Sequence, residues 1–213
     1  MLNSFKVEPT DALIIIDPQN DFCPGGSLAV SGGDEIMPLI NDIASMFRTV
    51  VITQDWHPQD QISFASNHHA APFTEFAAPY GAQVLWPDHC VQGTKGAELH
   101  PTLNVLNVQA IIRKGTNPAV DSYSAFYEND GVTTTGLGPY LKALGIKRVV
   151  LVGLAYDFCV GFSALDAVQK AGLEGAVIVK DATRAIDMGG SVEAIEAKFA
   201  EAGVFVINSG LLV

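Results

Sequence analysis

Six short, apolar, β-branched-rich runs punctuate the chain, at 12–16, 49–53, 110–112, 148–152, 176–179 and 204–207. Each is nearly continuous rather than alternating, so each reads as a strand buried on both faces. Helical periodicity fills the intervals at 34–47, 138–144, 159–171 and 190–202. Strands alternating with helices imply parallel pairing through right-handed crossovers. The expected fold is therefore α/β, a three-layer sandwich whose six-stranded, mostly parallel sheet is flanked by helices. Asp34 and Ser191 sit where N-terminal caps or first turns belong, and Gly145, Gly172 and Gly203 where helices should close.

One stretch departs from this rhythm. Residues 55–109 are rich in Pro, His and aromatics and only weakly periodic. Irregular segments of that length are uncommon and usually functional. With no repeat, low-complexity tract or linker, the expectation is a single domain over 1–213 with a long loop region at about 55–109.

Charge narrows the function. Twelve Lys and Arg face 23 Asp and Glu, for a net charge of −11. A nucleic-acid binder needs a basic face to displace counterions, and an anionic membrane surface asks the same. No basic cluster exists, so neither partner is expected. The three cysteines, Cys23, Cys90 and Cys159, are odd in number and far apart, which is no disulfide framework. The absence of a basic-then-apolar leader and of an 18-residue apolar run adds to the expectation of a soluble, cytoplasmic protein.

In open α/β sheets, ligands bind beyond the carboxyl ends of the strands. The first strand ends in Asp17, the second at Asp55-Trp56-His57, the third at Arg113-Lys114-Gly115, and the fourth runs into Gly153-Leu154-Ala155-Tyr156-Asp157-Phe158-Cys159-Val160. All four fall on one edge. Cys159 reads either as a thiol activated where a turn enters a helix or as an inert buried cysteine. Asp17 reads as a proton acceptor or as a loop cap. Lys114 reads as a cation tuning thiol and carboxylate or as a solvated strand-end lysine. Together they have the composition of an acyl-transfer site. Asp55 and His57, two residues apart on one side of an extended segment, offer metal ligands, and His89 of the same long region makes a third. Cys90 reads as packing, His68 and His69 as a solvated pair, and His100 as a structural hydrogen-bonding residue. The chain has no Gly-x-Gly-x-x-Gly, Walker loop or Gly-x-Ser-x-Gly elbow, which argues against nucleotide cofactors and serine hydrolases.

These segments resemble a known family. Asp17-Pro18-Gln19-Asn20-Asp21-Phe22 with Cys23-Pro24-Gly25-Gly26-Ser27-Leu28-Ala29-Val30 is similar to the opening of the nicotinamidases, within the isochorismatase-like cysteine hydrolases. Gln54-Asp55-Trp56-His57-Pro58, Trp86-Pro87-Asp88-His89-Cys90-Val91, Arg113-Lys114-Gly115, Asp121-Ser122-Tyr123-Ser124-Ala125-Phe126 and the segment around Cys159 come in family order, over nearly the whole chain. The resemblance implies Cys159 as nucleophile, Asp17 as general base and acid, and Lys114 as third member of the triad. It implies the Ala155 and Cys159 amides as oxyanion hole, a cis Leu154–Ala155 bond, and one divalent metal on Asp55, His57 and His89, with zinc first and iron or manganese as alternatives. Phe22, Leu28, Trp86, Tyr123 and Phe158 would wall the ring pocket.

The implied reaction is hydrolysis of nicotinamide to nicotinate and ammonia through a cysteine thioester, serving NAD salvage, with pyrazinamide a second substrate. Another small-amide or carbamoyl cysteine hydrolase, or a non-catalytic metal- or ligand-binding module, are the alternatives. A homo-oligomer is open. Two positions depart from relatives. Ser63 precedes Phe64 where some carry a histidine, leaving water or Ser63 to complete the metal shell. Phe158 occupies a variable place before the nucleophile and bears on pocket width.

Overall fold

The structure, a computed structural model, describes residues 4–213. In chain order the elements are β1 (Asp11–Ile16), α1 (Met37–Ala44), β2 (Thr49–Asp55), β3 (Glu75–Ala78), β4 (Gly81–Val84), β5 (Val108–Lys114), α2 (Leu137–Ala143), β6 (Arg148–Leu154), α3 (Gly161–Gln169), β7 (Gly175–Arg184), α4 (Ser191–Ala202) and β8 (Phe205–Ile207). Six strands form one sheet in the order β5-β2-β1-β6-β7-β8, and every adjacent pair is parallel. The chain reverses direction of winding beside β1, the position at which open α/β sheets place their sites.

Successive strand residues point to opposite faces, and the core divides accordingly. Leu13, Ile15, Val50, Ile52, Val150 and Val152 pack under α1 on one face. Ala12, Ile14, Ile16, Val51, Val149 and Leu151 pack under α2, α3 and α4 on the other. One helix cannot cover a six-stranded face. The rest of that layer comes from the irregular region, which contributes Trp86, Cys90 and Ala97 to the α1-side core, with Leu99, Leu103 and Val105 against it. The long region is thus a structural layer without helical periodicity. It also contains the antiparallel β3–β4 hairpin, which its weak pattern does not announce.

Other expectations shift at their margins. The helix expected at 34–47 spans only Met37–Ala44, with no side-chain cap from Asp34 and a proline in its first turn, where a missing N–H costs nothing. The edge strand β5 alternates in exposure instead of being buried throughout, and Ile111 is half exposed. Gly145, Gly172 and Gly203 all adopt the left-handed conformation that ends a helix. Cys159 does not open an α-helix. It lies within a π-helical turn, Tyr156–Val160, closed by the Val160 N–H donating to the Ala155 carbonyl at 3.0 Å, and α3 begins only at Gly161.

Candidate active site and metal centre

Four strand ends converge as expected. Asp17 comes directly after β1 with φ 45°, a left-handed conformation that costs a non-glycine residue energy and clusters at functional sites. Its N–H donates to Thr53 Oγ1 (3.1 Å), and that hydroxyl donates back to Asp17 Oδ1 (2.6 Å). The other oxygen, Oδ2, lies 2.9 Å from Lys114 Nζ but out of hydrogen-bonding alignment with it. It is a buried carboxylate oxygen without an aligned donor among the described residues. Carboxylate oxygens of Asp17 and Asp55 and the Cys159 sulfur lie within 4.8 Å of one another.

Lys114, fully buried at the end of β5, spends its three protons on Asp55 Oδ1, the Ser122 carbonyl (2.9 Å) and Cys159 Sγ (3.5 Å). Burial opposes its charge, but Asp17 and Asp55 outweigh burial and hold its pKa well above the usual lysine value. The ammonium therefore persists. Burial raises the Asp17 carboxyl to about 6, with Lys114 pulling down and Asp55 pushing up. The Cys159 thiol is raised well above its ordinary value, chiefly by burial; Lys114 lowers it, while Asp17 and Asp55 raise it further. The resting sulfur is a thiol, beside a carboxylate able to take its proton.

The second cluster shares Asp55. His57 Nε2 lies 3.5 Å and His89 Nε2 3.9 Å from Asp55 Oδ2. Each imidazole is oriented by its other nitrogen, His57 Nδ1 on the Gly115 carbonyl (3.0 Å) and His89 Nδ1 on the Pro87 carbonyl (2.7 Å). Such outer contacts leave Nε2 free as a ligand atom. Two ligands each about 2.1 Å from a zinc ion lie roughly 3.4 Å apart at the tetrahedral angle, so the three donors fit one divalent ion. Gly115, with φ 62°, is required here, since a Cβ would stand 2.6 Å from His57 Nδ1. Phe64 packs on both rings at 5.5 and 5.6 Å, and the neighbouring Ser63 hydroxyl is buried without a hydrogen-bond partner among the described residues.

Both clusters border one cavity of about 330 Å³, counting the space open to solvent. Phe22, Leu28, Trp86, Tyr123 and Phe158 all line it, together with Asp55, His89, Ala155 and Cys159. The aromatic walls meet edge to face, Trp86 against Phe158 at 5.0 Å and Tyr123 against Phe158 at 5.6 Å. The Leu154–Ala155 bond is cis.

Several participants carry no assignment from the sequence. Thr53 orients Asp17. The Gln19 side chain brackets the Asp55 backbone, donating to its carbonyl and accepting from its N–H, each at 2.8 Å. Asp121 lines the cavity with Oδ1 4.0 Å from His57 Nε2, and Ile186 lines it from the loop after β7. Thr53 is the one polar side chain closing the second apolar run, a signal available in the sequence. Ile186 has none. Of the remaining histidines, His69 is exposed as expected, while His68 is only partly exposed: Nε2 contacts the Ile62 carbonyl at 2.7 Å and the ring lies on Phe76. Cys90 is fully buried and His100 contacts Thr102, as expected.

Comparison with known proteins agrees. Residues 11–209 match the isochorismatase domain. A nicotinamidase of Acinetobacter baylyi is 55% identical over 199 residues, 93% of this chain and 92% of that protein. Among solved structures, a nicotinamidase/pyrazinamidase of Acinetobacter baumannii superposes with a TM-score of 0.93 at 50% identity, covering 95% of this chain and 98% of that one. PnC1 of L. infantum in complex with nicotinate gives 0.86 at 42% identity (99% and 98%), and the pyrazinamidase of Pyrococcus horikoshii in complex with zinc 0.75 at 33% (94% and 99%). The chain belongs to the isochorismatase family, in its nicotinamidase branch, whose members hydrolyse a carboxamide C–N bond.

Proposed function

We propose that the cavity hydrolyses nicotinamide to nicotinate and ammonia, and accepts pyrazinamide in the same pose, with Asp17, Lys114 and Cys159 performing the chemistry. The observation that carries this reading is the junction at Lys114 and Asp55: a thiol with its base and a metal-ligand cluster share one aromatic-walled cavity. A divalent ion on Asp55, His57 and His89, zinc first, would supply a Lewis-acid anchor for the ring nitrogen. The partnerless Ser63 hydroxyl supports a polar occupant on that side, with Ser63 or a water completing the shell.

Asp17 Oδ2 takes the thiol proton as Cys159 Sγ attacks the carboxamide carbon. Lys114, cationic throughout, offsets the negative charge passing between sulfur and carboxylate. The Ala155 and Cys159 amides receive the oxyanion, a contribution of about 3 kcal/mol per donor in comparable enzymes. Asp17 then protonates the amine nitrogen, the C–N bond breaks, and ammonia leaves a thioester. Water attacks the thioester with Asp17 as base, releasing nicotinate and restoring the thiol. The role is NAD salvage. No described helix is long and apolar enough to cross a membrane, and the separated, unpaired cysteines suit the reducing cytoplasm.

Ammonia release from nicotinamide, measured beside Cys159→Ala, tests this. Release by the parent and a loss of about 10⁴-fold or more in the variant are expected. No release from metal-replete, reduced parent protein removes nicotinamide as the substrate, and release surviving in the variant removes the covalent route.

A further inference from the structure

Asp157 stands two residues before the nucleophile, buried, and the mechanism makes no use of it. Its carboxylate reaches away from the catalytic cluster into the loop between β7 and α4. Oδ1 accepts the Ile186 N–H at 2.9 Å; Oδ2 accepts the Asp187 N–H at 2.8 Å and the Ser191 hydroxyl at 2.5 Å. Ser191 Oγ in turn accepts the Met188 N–H at 2.9 Å. Four donors spanning six residues of the loop thus converge, directly or through one hydroxyl, on a single carboxylate. No lysine or arginine pairs with Asp157 among the described residues. Two backbone N–H groups and the Ser191 hydroxyl beside the start of α4 satisfy it instead.

The loop does not hold this shape by its own preference. Asp187 has φ 54°, a conformation uncommon for non-glycine residues. The loop's contribution to the cavity is Ile186, whose side chain joins Phe22, Trp86, Tyr123 and Phe158 around the space in front of Cys159. One of the three residues that Asp157 grips directly, Ile186 through its N–H, is therefore a wall of the substrate cavity. The carboxylate belongs to the same five-residue turn as the sulfur. One side chain thereby fixes the distance between nucleophile and wall.

We infer that Ile186 limits the size of the carboxamide ring the cavity accepts, and that Asp157 is the positioning residue that sets this limit by clamping the Ile186 loop to the nucleophile's turn. The inference rests on the carboxamide-hydrolase reading of the cavity. Asparagine in place of Asp157 keeps the shape but has one acceptor oxygen and turns an NH₂ toward the donors, so at least one of the three bonds is lost. Ser191→Ala removes one bond and leaves Asp157 untouched.

The test is the ratio of kcat/KM for a ring-methylated nicotinamide to that for nicotinamide, in the parent, Ile186→Ala, Asp157→Asn and Ser191→Ala. One methylene in an apolar pocket discriminates by about 10–200-fold, so Ile186→Ala should raise the ratio at least about tenfold. Asp157→Asn should raise it in the same direction through KM, with the rate of Cys159 alkylation by iodoacetamide unchanged, and Ser191→Ala should do so more weakly. The ratio unchanged in Ile186→Ala overturns the size limit. Slower alkylation with an unchanged ratio in Asp157→Asn overturns the clamp and assigns the carboxylate to the nucleophile's turn. Should Asp157→Asn not fold, an unchanged ratio in folded Ser191→Ala overturns the clamp as well. A readout free of turnover separates this inference from the reaction itself: the Ile186 δ1-methyl NMR resonance should shift when nicotinate is added to the parent protein. A shift without nicotinamide turnover removes the reaction and leaves the wall; turnover without a shift removes the wall.

Discussion

The two halves of the site are built differently. The Asp17–Lys114–Cys159 cluster is made from residues at or just beyond the carboxyl ends of β1, β5 and β6, which the parallel sheet brings to one edge. The Asp55–His57–His89 cluster has only Asp55 on a strand end; His57 lies just beyond it, and His89 comes from the irregular layer over the α1 face. The first inherits its geometry from the sheet. The second depends on two imidazole-to-carbonyl bonds and on the room Gly115 leaves for His57. Loop damage should therefore disarm the metal half and spare the thiol half. Lys114, which touches Asp17, Asp55 and Cys159, is the exception that joins them.

The largest effect is expected at that joint. Lys114→Met leaves the Asp17 and Asp55 carboxylates buried without their cation. Breaking a buried ion pair in this way costs about 3–5 kcal/mol. Denaturant unfolding should show that loss, and the folded variant should lose both turnover and metal retention together. Retention of full metal occupancy alongside lost turnover would mean that the two halves are independent and that the shared contacts are incidental.

A smaller and more selective effect is expected at Gly115→Ala. The new methyl group displaces His57 from its carbonyl partner. Loss of such an outer contact lowers metal affinity or activity by about 10–100-fold. Metal content by atomic spectroscopy should fall, and the KM for nicotinamide should rise, while the rate of Cys159 alkylation stays at the parent value. Benzamide, which lacks the ring nitrogen, should be a poor substrate of the parent and should be little affected by the substitution. Equal losses for benzamide and nicotinamide would show that the loop cluster does not hold the ring.

The same contrast governs what the sequence can show. Strand ends are legible because continuous apolar runs at 12–16 and 49–53 stop at Asp17 and just short of Asp55, and parallel topology then dictates that they meet. The covering layer is not, because its cohesion comes from scattered tertiary contacts such as Trp86 and Leu99 with no period to read, and the β3–β4 hairpin lies inside it. The environment of Cys159 is hidden for a related reason: position near a helix start favours the charged sulfur, but burial, a property of the assembled fold, pushes the thiol up. Ile186 is invisible because a lone isoleucine after a strand looks like any core residue until the loop is folded back on Asp157.

The smallest and most localised expectation concerns Thr53 and the pH profile. With Asp17 raised to about 6, mainly by burial, the base is neutral below that pH, so kcat/KM should fall on the acid side with a midpoint near 6. The linked stability runs the other way. Between the ordinary aspartate value and about 6 the folded protein holds a proton that the unfolded chain releases, so this group's contribution to stability declines as pH rises through that window. Thr53 moderates the shift by donating to Asp17 Oδ1, a bond that favours the charged carboxylate. Thr53→Val keeps the shape and removes the donor. Hydrogen bonds to charged groups are worth about 1.5–3 kcal/mol, and one pKa unit corresponds to about 1.4 kcal/mol. The acid limb should therefore move upward by about one to two units, with activity above pH 8 close to the parent's and the metal content unchanged. An unmoved acid limb in Thr53→Val would assign that limb to a group other than Asp17, with His57 and His89 of the loop cluster the next to examine.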